Sequence, residues 1–275
     1  MRIRIVDAFT DRPFSGNPAG VLLLGADGFP ADGWLQQVAA ELNLSETAFA
    51  HPLPPGDGED AHWALRWFTP TTEVRLCGHA TLATAHVLRT TGQTRGTVRF
   101  RTKAGVLAAT TAGDGAIALD FPTAPLTPEQ APPGLAAALG AEPLTVLDTG
   151  PDCGDLLVEL ADEATVRALT PDAGALAGLS RRGVIATAAP ADPGAGYDFV
   201  SRCFFPGVGV HEDPVTGSAH TALAPFWSAR LGRAALTGFQ ASARGGLVGT
   251  RLRGDRVELT GTAVTVIDGE LHAVP

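Results

Sequence analysis

Lysine is almost missing from this chain. Lys103 is the only lysine among twenty basic residues, and the formal net charge at pH 7 is −9. No tract gathers the arginines into a basic stripe, so the electrostatic footprint of a nucleic-acid partner is lacking. Long apolar runs are lacking too. None approaches the roughly 20 residues that span a bilayer. The opening "MRIRIVDAFT" alternates like a strand where a secretion leader would be continuously apolar. A cytoplasmic protein with no membrane partner is the expectation. Cysteine is scarce: Cys77, Cys153 and Cys203 are odd in number and irregularly spaced. That excludes a disulfide framework and argues against a zinc site of the usual spacing. His211, Glu212 and Asp213 are adjacent, and neighbouring residues rarely aim at one ion, so no metal is expected.

What is present suffices for a large core. The 275 residues are 45% hydrophobic, enough for one large or two medium domains. Strand signals dominate, as in "RIRIVDAF", "AGVLLL", "HWALRWF", "GVIATAAP" and "YDFVSRCFF", each short and bounded by turn-forming residues. "FPADGWLQQVAAELN" reads as a helix capped by Asp32. "CGHATLATAHVLRT" is apolar nearly all round and reads as a buried helix, as does "TGSAHTALAPFWSARLG". The Pro-rich "FPTAPLTPEQAPPGLAAALG" is the candidate linker. It suggests halves of residues 1–122 and 123–275.

The two buried helices carry an internal repeat. "RWFTP" matches "RCFFP" at Arg, Phe and Pro, and "CGHATLATA" aligns with "TGSAHTALA". Gly78 meets Gly217, and His79 meets Ser218. Two helix starts with a glycine each suggest two sets of unpaired N–H groups at positive dipole ends, facing one cleft. Such a pair would grip a small carboxylate and stabilise charge beside it. Easing a tight turn is the plainer role for both glycines. His79, in the first turn, should be held neutral by the dipole. Asp213 is either a cap or a group able to move a proton, and Ser218 a cap or a ligand donor. Glu46, in "NLSETAF", enters an apolar segment, which is costly unless the carboxylate is partnered. That makes it an acid/base candidate.

"VDAFTDRPFSGNPAGV", "NLSETAF", "FTPTTEVRLCGHATLATAHVL" and "HEDPVTGSAH", in this order, resemble the PhzF family over nearly the whole chain. The family is named for the phenazine-biosynthesis isomerase. The resemblance implies a diaminopimelate-epimerase-like α/β fold: two pseudo-symmetric halves, each a curved barrel-like sheet around a central helix. It implies a cofactor-independent isomerase acting on a small carboxylate-bearing metabolite, trans-2,3-dihydro-3-hydroxyanthranilate or an analogue. By motif match the proton-shuttling glutamate falls on Glu46. Binding and polarising residues fall on Gly78, His79, Asp213, Gly217 and Ser218, and Asn17 lines the cleft. A homodimer is implied as well, and in this fold a terminal strand can cross back to the other half. The epimerase relatives use two cysteines. Here Cys77 matches one, but Thr216 stands at the other, and a hydroxyl is a far weaker base than a thiolate. Cys77 is then a small buried residue, as are Cys153 and Cys203. The alternatives are a racemase or epimerase using Glu46 and Cys77 as unlike bases, and a non-catalytic metabolite-binding protein.

Overall fold

The computed structural model describes residues 1–54, 61–273 and 275. They divide into two compact units, one of Met1–Asp120 with Thr260–Pro275, the other of Phe121–Leu259. The terminal strand Ala263–Glu270 therefore belongs with the first unit and not with residues 123–259.

The first unit opens with strands β1 (Arg2–Ala8) and β2 (Asn17–Leu23), helix α1 (Asp32–Leu42), and strands β3 (Glu46–Pro52) and β4 (Trp63–Phe68). Helix α2 (Gly78–Thr90) leads into strands Thr97–Thr102 and Gly105–Thr111. Ala263–Glu270 pairs antiparallel with β1, and β1 antiparallel with β2. From β2 the ladder runs parallel to β3, antiparallel to β4, parallel to Thr97–Thr102 and antiparallel to Gly105–Thr111. Helix α2 is buried from His79 to Leu88 and packs on β1, β2, β3, Gly105–Thr111 and the terminal strand. Reaching both ends of one sheet requires the sheet to curve around the helix. The sequence allows this because "HATLATA" is small on all sides. Its threonine hydroxyls are satisfied internally: Thr81 and Thr84 donate to the Cys77 and Ala80 carbonyls one turn back.

Asp32 does not cap α1. The N-cap is Ala31, and the Asp32 carboxylate instead accepts from Arg66 at 2.8 Å. Strand β3 is covered on both faces, as parallel pairing favours. Phe49 joins Leu35, Val38 and Ala39 in the cluster under α1. The two-residue period then turns Glu46, Ala48 and Ala50 toward α2.

The turn between β1 and β2 depends on Gly16. Its φ is +65°, and an added Cβ would stand 2.1 Å from the Ala8 carbonyl oxygen. Gly16→Ala combines left-handed strain with a backbone clash and is expected to cost on the order of 3 kcal/mol. A urea titration checks this, and a loss below about 1 kcal/mol would show that the turn relaxes freely.

The second unit repeats the plan. Thr145–Asp148 pairs antiparallel with Asp155–Glu159, which runs parallel to Gly183–Ala188. That strand is antiparallel to Phe199–Phe205, which is parallel to Ala235–Gln240, itself antiparallel to Gly246–Arg253. The order of orientations is that of the first unit from β1 onward, with the Gly217–Leu231 helix inserted at the place of α2. Leu157, Ile185, Phe199 and Cys203 face this helix. Leu156, Val184, Ala186 and Val200 face the opposite cluster with Leu139, Val166 and Leu176. Cys203 is thus a packing residue.

The matching Arg and Phe of the two copies have a common use. Arg66 clamps Glu73 through two hydrogen bonds of 2.8 and 2.7 Å and lies over the Phe68 ring. Arg202 clamps Glu212 at 2.7 and 3.0 Å and lies over Phe204. Each clamp ties the fourth strand to the short strand that leads to the helix start.

The expected linker is no linker beyond its first residues. Ala124 and Leu126 pack on the second unit's core. Pro225 inside the Gly217–Leu231 helix has no N–H for the Thr221 carbonyl, and the Ala124 N–H takes that carbonyl at 3.1 Å. Residues Leu135–Leu139 do form a helix.

Besides His79 at the α2 start, two buried histidines on the central helices make the fold acid-sensitive. Burial pushes the pKa of His86 on α2 and of His220 on its counterpart down to about 4. Both are neutral when folded, so the stability this represents is present above pH 6.5. It is lost as pH falls toward 4, because only the unfolded chain takes up the protons. At pH 5 the two together cost on the order of 4 kcal/mol. Thermal melts should show a steep fall in Tm between about pH 7 and 5, and a flat profile would contradict the burial argument.

Candidate active site

In the first unit, the β3 start and the α2 start converge. Glu46 is the first residue of β3, opposite Ala19 of β2, and its side chain keeps 20% exposure. His79 is the second residue of α2 and is 5% exposed. Its Nε2 lies 3.3 Å from Glu46 Oε2, off the line of a well-formed hydrogen bond. Its Nδ1 lies 3.5 Å from the Cys77 sulfur. One imidazole therefore separates a carboxylate from a thiol. Burial pushes the His79 pKa down to about 3, so the ring is neutral. The sequence suggested neutrality from the helix dipole, and desolvation gives a cause for the same state.

Cys77 is the N-cap residue of α2, in extended backbone, and its side chain makes no capping bond. A Ser or Asp there would accept from an N–H of the first turn. The thiol points to the imidazole instead. That contact adds to the packing role expected of Cys77. Asn17 is fully buried at the first residue of β2, two residues before the one that faces Glu46.

In the second unit, Asp213 ends the Val210–Asp213 strand and the N-cap is Thr216. The Thr216 hydroxyl donates to the Asp213 carboxylate. The fully buried Gln240 holds the turn: its Oε1 accepts from the Thr216 N–H at 2.8 Å and its Nε2 donates to the Asp213 carbonyl at 2.7 Å. Ser218, the second residue of the helix, accepts from Arg182 at 3.2 and 3.1 Å. Arg182 is clamped to the buried Asp155 and lies 4.3 Å over the Phe205 ring. Cys153 touches the Ser218 carbonyl and the Thr221 hydroxyl, each at 3.6 Å. Burial raises its pKa, which leaves it a thiol.

The repeat therefore extends to the chemistry. In each unit a side chain at the start of the third strand reaches the residue two past the N-cap of the central helix. It is Glu46 to His79 in one unit and Arg182 to Ser218 in the other. Sequence reasoning missed Asp155, Arg182 and Gln240. Asp155 did carry a signal, the one used for Glu46: a carboxylate entering an apolar strand needs a partner.

Glu46, Cys77 and His79 also offer three donor atoms within 4.8 Å of one another, an arrangement able to hold a metal ion. No helix among the described residues is long and apolar enough to cross a membrane.

A family model described as phenazine biosynthesis-like protein (PhzC-PhzF) matches residues 6–269. An uncharacterized isomerase of Halalkalibacterium halodurans is 46% identical over 272 residues, covering 98% of this chain and 97% of that one. The crystal structure of a PhzF-family protein of Enterococcus faecalis matches with a TM-score of 0.88 at 40% identity, covering 99% of both chains. A proline racemase-like structure from Agrobacterium radiobacter, 13% identical with a TM-score of 0.61 over 100% of this chain and 93% of that one, shares the fold alone. The architecture is the diaminopimelate-epimerase-like fold. The chain belongs to the phenazine biosynthesis-like PhzC-PhzF family, a family of isomerases.

Proposed function

We propose that the protein isomerises a small carboxylate-bearing metabolite by moving a proton with Glu46, without a cofactor. The observation that carries this reading is the placement of Glu46. It is a half-buried carboxylate, open on one side, set against a buried neutral imidazole at a helix start. A neutral ring beside it cannot neutralise the carboxylate by charge, yet it can donate or accept a hydrogen bond as the substrate proton moves. His79 is assigned the role of orienting that proton. Gly78 and Gly217, at helix starts whose N-cap side chains make no capping bond, are assigned to bind anionic oxygen through N–H groups. Ser218, already accepting from Arg182, keeps its own hydroxyl proton to donate. Asp213 is assigned to polarise, and Asn17 to line the site.

The test is turnover of trans-2,3-dihydro-3-hydroxyanthranilate followed by absorbance, with related cyclic amino and hydroxy acids beside it. Conversion of any of them without added metal or cofactor supports the reading. Inertness toward all, with the fold intact, removes it.

A second reading, racemisation or epimerisation, has one observation in its favour. The His79 ring meets Glu46 at Nε2 and Cys77 at Nδ1. With its proton on Nε2, the ring can pass that proton to Glu46 while taking the thiol proton at Nδ1, and it never becomes an imidazolium. Loss of optical purity in a chiral substrate, abolished by Cys77→Ala, would favour this reading over isomerisation.

A further inference from the structure

We propose that the Glu46–Cys77–His79 cluster is an inhibitory binding site for a thiophilic divalent cation, zinc being the best fit. The donors are one thiol, one imidazole and one carboxylate, the mixed set that zinc accepts and magnesium or calcium does not. The separation of the first two donors is the informative quantity. A tetrahedral ion with bonds of about 2.3 Å to sulfur and about 2.0 Å to nitrogen sets those two atoms about 3.5 Å apart. Cys77 Sγ and His79 Nδ1 stand 3.5 Å apart. Two ligands of the tetrahedron are therefore placed by the backbone of one helix start, with Cys77 at the N-cap and His79 two residues on.

The carboxylate is the adjustable ligand. Glu46 Oε2 now faces the other ring nitrogen, yet all three donor atoms lie within 4.8 Å of one another. A side-chain rotation of Glu46 is needed to carry the oxygen from the Nε2 edge of the ring to the Nδ1 side, where a tetrahedron places its third ligand. Glu46 is the most exposed of the three, which gives it room to turn and gives the ion a way in. The fourth position is left to water. The odd number and irregular spacing of the cysteines argued against zinc, and Cys77 with His79 offers only two ligands. The third comes from a strand thirty residues earlier and is delivered by the fold.

The consequence for activity rests on the reading of Glu46 as the proton carrier. Ligation ties up the carboxylate, so the occupied enzyme should be inactive and a chelator should restore it.

The test uses tag-free protein treated with EDTA and dialysed. Zinc binding is read by calorimetry, and cobalt is used as a coloured substitute whose thiolate charge-transfer band reports Cys77. One zinc per chain is expected, with affinity weakened at least about 100-fold by Cys77→Ser and by His79→Gln. The cobalt band should vanish in Cys77→Ser and persist in Cys153→Ser. Absence of saturable binding, or binding indifferent to both substitutions, overturns the site. These readouts need no substrate, so they stand apart from the isomerase reading. Binding at this site with turnover unchanged would overturn the inhibitory role and the assignment of Glu46, while leaving the cation site in place.

Discussion

Glu46→Gln is expected to lower kcat about 10³-fold, within the range that a positioned acid/base group supplies, with KM little changed. The glutamine has the same length and fits the same place at the start of β3. It keeps the contact with His79 and cannot take up a proton. Because the side chain is already part-exposed, the melting temperature should hardly move. Glu46→Asp separates position from chemistry. It keeps the carboxylate but withdraws it by about one methylene, and a misplacement of about 1 Å can cost about 10²-fold. The predicted order of kcat is therefore wild type, then Asp, then Gln. A Gln variant within about tenfold of wild type would remove Glu46 from the proton path. A variant that loses stability along with activity would make its role structural.

Arg182→Met carries the largest expected effect on stability. Its guanidinium is the partner of the Asp155 carboxylate, whose side chain is fully buried, whereas Arg182 keeps 26% exposure. Removing the arginine strands a charge in the core. The cost should be about 3–5 kcal/mol, a large part of a typical domain's stability. Asp155→Asn should cost less, since the arginine left behind has access to water. The double variant Asp155→Asn/Arg182→Met should recover part of the single-arginine loss, because no ion is then buried. Urea denaturation of the three variants checks the order. If Arg182→Met and Asp155→Asn lost the same small amount, the pair would be a solvated bridge and not a buried one. Arg182→Met also frees the Ser218 hydroxyl from two donors. In the active fraction, that should raise KM more than it lowers kcat.

Much of this was legible in the residues. The repeat was visible because helix and strand identities recur in order, and the orientations of the strands follow it from end to end. The Arg66 and Arg202 matches looked like two letters of an alignment. They are clamps on Glu73 and Glu212, and the glutamates went unmatched because the loops before them differ in length. Glu46 and His79 were candidates from local chemistry, and the family resemblance assigned their roles. Their contact was not, since it depends on the parallel register of β2 and β3 and on which face of β3 turns toward α2. The thiol's aim at Nδ1 is set by the backbone of the N-cap, which no spacing rule reports. Asp32 illustrates the converse. A residue well suited to cap was drawn to Arg66, because a guanidinium was within reach. Gln240 and Arg182 gave no local sign, each being brought to the second helix start from a distant strand end.

Solvent-deuterium incorporation tests the central claim most directly. The protein is incubated with trans-2,3-dihydro-3-hydroxyanthranilate, or with whichever acid it converts, in D2O, and substrate and product are followed by proton NMR. Wild type should place deuterium at the carbon that gains a proton, because a carboxylate that keeps 20% exposure exchanges with solvent between turnovers. Glu46→Gln, folded and still binding the substrate, should show neither product nor exchange. Deuterium entering at the wild-type rate in Glu46→Gln would contradict the account at its root and place the proton carrier elsewhere.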